Sequence, residues 1–285
     1  MIPGEFGYER ATSTVEAVQM LQDAAGEGKF LAGGHSLLPM LKLRLAEPAK
    51  LIDISRIDEL RGVRMVGNRL VIGALTTHHQ VATHPLVRQH LPVLADAAGQ
   101  VGDLQVRNRG TIGGNLAHAD MASDVPAVAM ALDTELHIQT PEGEASMSAE
   151  EFFVGPLVTA MPEFGLLTTV SFMLPPTHAR GVYVKFPHPA SGYAVIGVAA
   201  VVGVGDDGTI DYARVGITGA ADVAYRAHDV ENVLLGNRPT TDLVRAAAAP
   251  AAEDGTIAGD AFASEEYRRH LCTVQTAKAL HKVLT

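Results

Sequence analysis

Two glycine pairs are the residues best placed to do chemistry. Leu31-Ala32-Gly33-Gly34-His35-Ser36-Leu37-Leu38 runs from a predicted strand into a predicted helix. Paired glycines let a backbone turn sharply and let a ligand come close. Unpaired amides at a helix start attract anions, and Ser36 adds a hydroxyl donor. Such a run suits a pyrophosphate. Gly110-Thr111-Ile112-Gly113-Gly114-Asn115-Leu116 has the same character. Each run alone reads more readily as a turn before a helix than as a ligand site; two in one chain favour a ligand. Neither run has the lysine pattern of a P-loop, and no Gly-x-Gly-x-x-Gly opens a helix, so the usual dinucleotide fingerprint is absent.

Other reactive side chains do not assemble into a recognisable machine. His35, His78, His79 and His118 lie near the loops, with Asp120 and Asp124 close by in sequence. A metal site would need several such ligands converging with supporting partners, and these read instead as hydrogen-bonding or packing residues. No Gly-x-Ser-x-Gly surrounds a serine. The lone cysteine, Cys272, lies in a helical pattern and reads as core; one thiol can hold neither an iron–sulfur cluster nor a structural zinc. No catalytic residue and no metal ligand is expected. Ligand-holding loops without acid–base groups suit a cofactor that supplies the chemistry itself.

The elements that must carry these loops follow from period and punctuation. Ser13-Thr14-Val15-Glu16 has capping-box spacing, and a helix is predicted from about 14 to 25. Strands at 29–32 and 51–54 with a helix at 37–45 between them predict a small parallel sheet. Gly67-Asn68 marks a hairpin. Helices at 77–82 and 91–101 precede the second loop, and another begins near Val125. Strands are predicted at 135–140 and 166–174. Pro175-Pro176 bars a regular element, and a domain boundary is placed there. Beyond it come a strand at 182–186, a hairpin of 193–204 with 210–218, and helices at 223–235, 241–249 and 264–284.

Composition narrows the class. The 285 residues suggest about two domains. A net charge of −10 with no basic block disfavours nucleic acid. The longest apolar run, Ala194 to Val204, is about half of the roughly 20 residues that a membrane helix needs. No basic stretch followed by an apolar run opens the chain, so a signal peptide is not expected. A cytoplasmic protein is expected.

The two loops read at greater length carry a resemblance. Ala32 to Arg44, AGGHSLLPMLKLR, and Thr111 to Asp120, TIGGNLAHAD, closely resemble the FAD-binding medium subunit of the molybdenum hydroxylases, nearest to the aerobic carbon monoxide dehydrogenase subgroup. The xanthine dehydrogenase flavin domain is a more distant relative. The resemblance runs over essentially the whole chain. It implies an α+β protein: a two-subdomain FAD-binding fold of the vanillyl-alcohol oxidase (PCMH) type over 1–176, with subdomains of about 1–56 and 57–176. A small α+β C-terminal domain over 177–285 would follow, with a three-stranded antiparallel sheet and helices.

The resemblance also implies roles. Leu31, Ala32, Gly33, Gly34, His35, Ser36, Leu37 and Leu38 match the first FAD loop, and Thr111, Ile112, Gly113, Gly114 and Asn115 match the second. Asp124 matches an FAD-contacting aspartate, Val101 and Leu167 match apolar or backbone contacts, Lys185 a lysine beside the flavin, and Tyr193 a tyrosine against its ring. The implied cofactor is FAD, held without a covalent bond. The implied partners are a large molybdenum-cofactor subunit and a small [2Fe-2S] subunit, with quinone, NAD or oxygen as acceptor. Met121 stands where the family often has proline, which predicts a looser loop, and Phe186-Pro187-His188-Pro189 replaces a commonly more basic stretch. A self-sufficient flavin oxidase or reductase, and a scaffold subunit without cofactor, are the competing readings.

Overall fold

The computed structural model describes residues 2–285. Its first unit is β1 (Gly7–Arg10), α1 (Thr14–Asp23), β2 (Gly28–Leu31), α2 (Leu37–Lys42) and β3 (Lys50–Asp53). The three strands are parallel, in the order β1–β3–β2. The Ser13 hydroxyl accepts from the Glu16 amide at 3.2 Å, as a helix cap should. The Glu16 carboxylate turns instead to the amide and hydroxyl of Thr12, so the reciprocal half of the expected box is displaced by one residue. Ala17 and Val18 of α1 pack with Ile52 and Ile54 in a small core. β1 escaped the sequence reading because its four residues are exposed and show no apolar alternation.

The second unit begins with the hairpin β4 (Val63–Val66) and β5 (Arg69–Gly73), turned at Gly67 with a φ of 58°. Helices α3 (His78–Thr83), α4 (Pro85–His90), α5 (Pro92–Gly99), α6 (Leu104–Arg109), α7 (Ile112–His118) and α8 (Asp124–Ala131) follow. The chain then forms β6 (Glu135–Thr140), β7 (Gly143–Ser148), α9 (Ala149–Phe152), the small pair β8 (Phe153–Gly155) and β9 (Val158–Thr159), and β10 (Leu166–Met173). The five-stranded sheet runs β4–β5–β10–β6–β7, all antiparallel. β10 sits at its centre, and a bulge at Leu167/Thr169 interrupts its pairing with β6. Bulges re-aim side chains beside sites.

The third unit is β11 (Arg180–Pro187), β12 (Ala194–Val204), β13 (Ile210–Thr218), β14 (Tyr225–Arg226), α10 (His228–Leu234), α11 (Thr241–Ala248) and α12 (Glu265–Leu284). β12 is buried at ten successive positions, Ala194 to Gly203, because α12 covers one face of its sheet and α5 and α8 of the second unit cover the other. This explains its unbroken apolar sequence. The three expected strands gain a fourth. The predicted helix at 223–235 is split, because Tyr225 and Arg226 pair with Ile217 and Gly216 as β14 before α10 begins. Tyr225 donates its hydroxyl to the Ala251 carbonyl at 2.8 Å, and Arg226 pairs with Glu231 and Asp133. These tertiary partners outweigh local helix propensity. No helix among the described residues is long and apolar enough to cross a membrane.

Candidate functional site

The first glycine run leaves β2 at Leu31, whose carbonyl accepts from Ile54, and enters α2 at Leu37. Gly34 has a φ of 77°, where an L side chain is strained, and a Cβ there would meet Leu38 at 2.9 Å. Gly33 is fixed for a different reason. A Cβ on it would collide with the Arg109 carbonyl oxygen and lie 3.1 Å from the Gly110 Cα. The two glycine segments are thus packed backbone to backbone. None of the amides of Gly33, Gly34, His35 and Ser36 donates to another described residue, and Ser36 makes no side-chain cap bond. Four free N–H groups in one turn form a cradle for an anion.

The second run is built differently from the first. It is not a loop but the start of α7, with Thr111 as N-cap. The Ile112 amide donates to Thr76 O and the Gly113 amide to Ala74 O. Gly114 N donates to the Thr111 hydroxyl, and Asn115 N donates to Thr111 O. The amides of Ile112 to Asn115 are therefore spent. Gly113 is required because a Cβ would overlap Ala74. Ile112 is fully buried and anchors the turn. The groups left to face a ligand are side chains. Asn115 accepts from the Ser123 hydroxyl at 2.8 Å, which leaves its amide N–H₂ free.

Both runs open on one cleft of about 1160 Å³. Ala32, Gly33, Gly34, His35, Ser36, Leu37, Val101, Thr111, Gly113, Gly114, Asn115, Asp124, Leu167 and Tyr193 line it. Leu31, Leu38, Ile112 and Lys185 do not. Leu31 and Ile112 hold the loops from behind, and Leu38 packs over Gly34. Lys185 stands behind Asp124, with its Nζ 2.9 Å from the carboxylate and both side chains at most 5% exposed. Tyr183 O–H donates to the same carboxylate at 2.6 Å. Burial pushes the Asp124 carboxyl up, against the Lys185 charge and the two hydrogen bonds. Burial raises the Tyr183 phenol well above its ordinary range. Tyr193 overhangs the mouth from the loop that precedes β12, half exposed, with its phenol raised by burial and by Asp120 and Asp124.

The loop at Met121 is not loose. Its carbonyl accepts from the Gly219 amide and from the Thr218 hydroxyl, each at 2.7 Å, and Ala122 O accepts from Ala194 N. These bonds do the fixing that a proline would otherwise do. Cleft residues to which the sequence assigned no cofactor role include His78, Gly110 and Ser191-Gly192. Gly110 opens the second glycine run and His78 is one of two adjacent histidines, but nothing in their spacing marks either as a ligand contact.

A cleft this large, with open amides at one end and a buried carboxylate along its wall, fits an extended anionic dinucleotide. The family model for the FAD binding domain in molybdopterin dehydrogenase matches residues 4–175, and that for the CO dehydrogenase flavoprotein C-terminal domain matches 181–283. The chain is 37% identical to the carbon monoxide dehydrogenase medium chain of Hydrogenophaga pseudoflava, over 99% of this chain and 98% of that one. It is 34% identical to subunit alpha of the 6-hydroxypseudooxynicotine dehydrogenase complex of Paenarthrobacter nicotinovorans, over 99% and 97%. The reconstituted CO dehydrogenase from Oligotropha carboxidovorans contains a chain that superposes with a TM-score of 0.96 at 33% identity, covering 100% of this chain and 99% of that one. The cofactor is FAD, bound without a covalent link, and the chain is an oxidoreductase subunit. The chain belongs to the family of FAD-binding medium subunits of the molybdenum hydroxylases, to which the carbon monoxide dehydrogenase medium chain also belongs.

Proposed function

We propose that this chain relays electrons within a cytoplasmic molybdenum hydroxylase complex. Electrons would arrive from [2Fe-2S] clusters on a small partner, after a large molybdenum-cofactor partner has oxidised the substrate. They would leave to quinone, NAD or oxygen. The observation that supports a relay most is the state of the chain's only thiol. Cys272 is wholly buried, and burial pushes it up to about 11. A thiol so placed is inert and ligates nothing, which supports a reading in which any clusters would be held by another chain. Bound FAD supplies the link between one-electron centres and a two-electron acceptor.

The chain's own residues would bind and orient. The amides of Gly33, Gly34, His35 and Ser36 would hold the pyrophosphate. Thr111 and Asn115 would supply side-chain hydrogen bonds, and Val101 and Leu167 apolar contact. Asp124, fixed by Lys185 and Tyr183, and Tyr193 would border the flavin. Residues 1–176 would act as the FAD-binding domain and 177–285 as the domain that closes it. The substrate is not selected here: relatives at 37% and 34% identity are named for carbon monoxide and for 6-hydroxypseudooxynicotine. Isolation of a tagged chain from its native host tests the reading. Co-isolation of molybdenum- and iron-containing subunits is the expected result. A flavin-loaded chain that purifies alone and oxidises its own substrate would overturn it.

A further inference from the structure

His78 is the first residue of α3 and leans on the second glycine segment. Its amide donates to the Gly110 carbonyl at 3.0 Å. Its ring lies so close to Gly110 that a Cβ there would be 3.0 Å from Cδ2. The side chain is 2% exposed and lines the cleft. Nδ1 is sealed from solvent and has no hydrogen-bond partner among the described residues. Nε2 makes no hydrogen bond to a described residue and is not sealed as Nδ1 is, so it is the ring nitrogen through which His78 can meet the cleft it lines. Buried polar groups are almost always satisfied, and an apolar side chain would fill this space without loss. Packing therefore does not account for a histidine here.

The protonation state narrows the role. Burial, with help from the Arg107 charge, lowers the imidazole to about 4, so the ring is neutral near pH 7 and carries one N–H. A proton on Nδ1 would be buried with nothing to accept it. A proton on Nε2 faces the cleft.

We propose that His78 donates a hydrogen bond through Nε2–H to an oxygen in the phosphate–ribityl part of FAD. This rests on the cleft being the FAD site. Location selects that part of the ligand. Gly110, against which the ring packs, is the residue whose Cα would lie 3.1 Å from a Cβ on Gly33. The imidazole is therefore one backbone strand away from the open amides, where a dinucleotide places its phosphate and ribityl oxygens.

The test is FAD titration of the isolated complex after its flavin has been stripped, with thermal melts of the FAD-free protein alongside. His78→Phe keeps the bulk and removes the donor. His78→Gln restores an N–H₂ at similar reach. The expected result is about a tenfold weaker FAD dissociation constant for His78→Phe, the factor that corresponds to about 1.4 kcal/mol. His78→Gln should stay within about threefold of wild type. The FAD-free Tm of His78→Phe should equal or exceed that of wild type, because an unmet buried polar atom has been removed. Wild-type affinity in His78→Phe would overturn the proposal. So would a common loss of affinity and of FAD-free Tm in both variants, which marks a packing role. A wild-type complex that takes up no FAD would refute the FAD-site reading itself, an outcome distinct from either.

Discussion

Asp124 shows how a residue in one part of the chain can depend on another. Its carboxylate belongs to α8, but Tyr183 and Lys185, two positions apart on β11, hold it. Alternate residues of a strand share a face, so both reach the same carboxylate. Gly197 on the neighbouring β12 makes room, since a Cβ there would overlap the Tyr183 hydroxyl. Lys185→Met leaves a buried carboxylate without its cation and should cost about 3–5 kcal/mol in denaturant melts. Tyr183→Phe removes one bond to a charged group and should cost about 1.5–3 kcal/mol. Of these residues, Asp124 and Lys185 were legible only through resemblance, and Tyr183 not at all. Its partner is 59 positions away, and nothing local announces a phenol that reaches a helix of another unit. His78 adds a pH dependence. Its folded-state value of about 4 lies below the ordinary 6.5. Stability from the neutral ring is complete above about pH 6.5 and falls as pH drops towards 4, by about 3 kcal/mol. FAD-free melts between pH 7 and 4 should show this fall, and His78→Phe should remove that share of it.

At the scale of elements, the two glycine runs look alike in sequence and differ in the fold. The first keeps the amides of Gly33 to Ser36 free, whereas the second spends those of Ile112 to Asn115 on the turn of α7 and on Ala74 and Thr76. Gly33→Ala should push the Arg109–Gly110 backbone away and weaken FAD binding at least a hundredfold, about 2.7 kcal/mol or more. Gly113→Ala overpacks against Ala74 and should lower the Tm through a cost of about 1–3 kcal/mol. Long elements with a clear period, such as α12, β12 and β13, could be read from the sequence to within a residue or two. Some short ones, such as β2, β3 and β6, were as legible, and others were not. α6 buries none of its residues and β7 alternates only between half-buried and exposed, so neither has an apolar period to read. Tyr225 and Arg226 look helical in the sequence because their strand pairing is decided by β13, not by their neighbours in sequence.

At the scale of the molecule, a cluster of charges joins the second and third units away from the cleft. Arg226 reaches Asp133 at 2.6 Å, Glu231 at 2.8 Å and Glu150 at 3.4 Å. Arg214 also binds Asp133, at 3.1 Å. Arg226 is only 10% exposed and Glu231 5%, so Arg226→Met strands a buried carboxylate and should cost about 3–5 kcal/mol. The third unit also carries Tyr193 and the neighbouring Ser191-Gly192 into the cleft wall. Loosening the joint should therefore weaken FAD binding as well as stability, measurable in one titration of the variant complex. This clasp was not visible in the sequence, where its members are scattered from Asp133 to Glu231 among ordinary surface charges. The most direct test of the central claim is the flavin content of the complex isolated through this chain, in wild type and in Gly33→Val. We expect FAD in the wild-type complex, released into the supernatant on acid precipitation, and a flavin-poor complex from Gly33→Val. A wild-type complex without flavin, flavin that stays on the precipitated chain, or a full complement of FAD in Gly33→Val would contradict it.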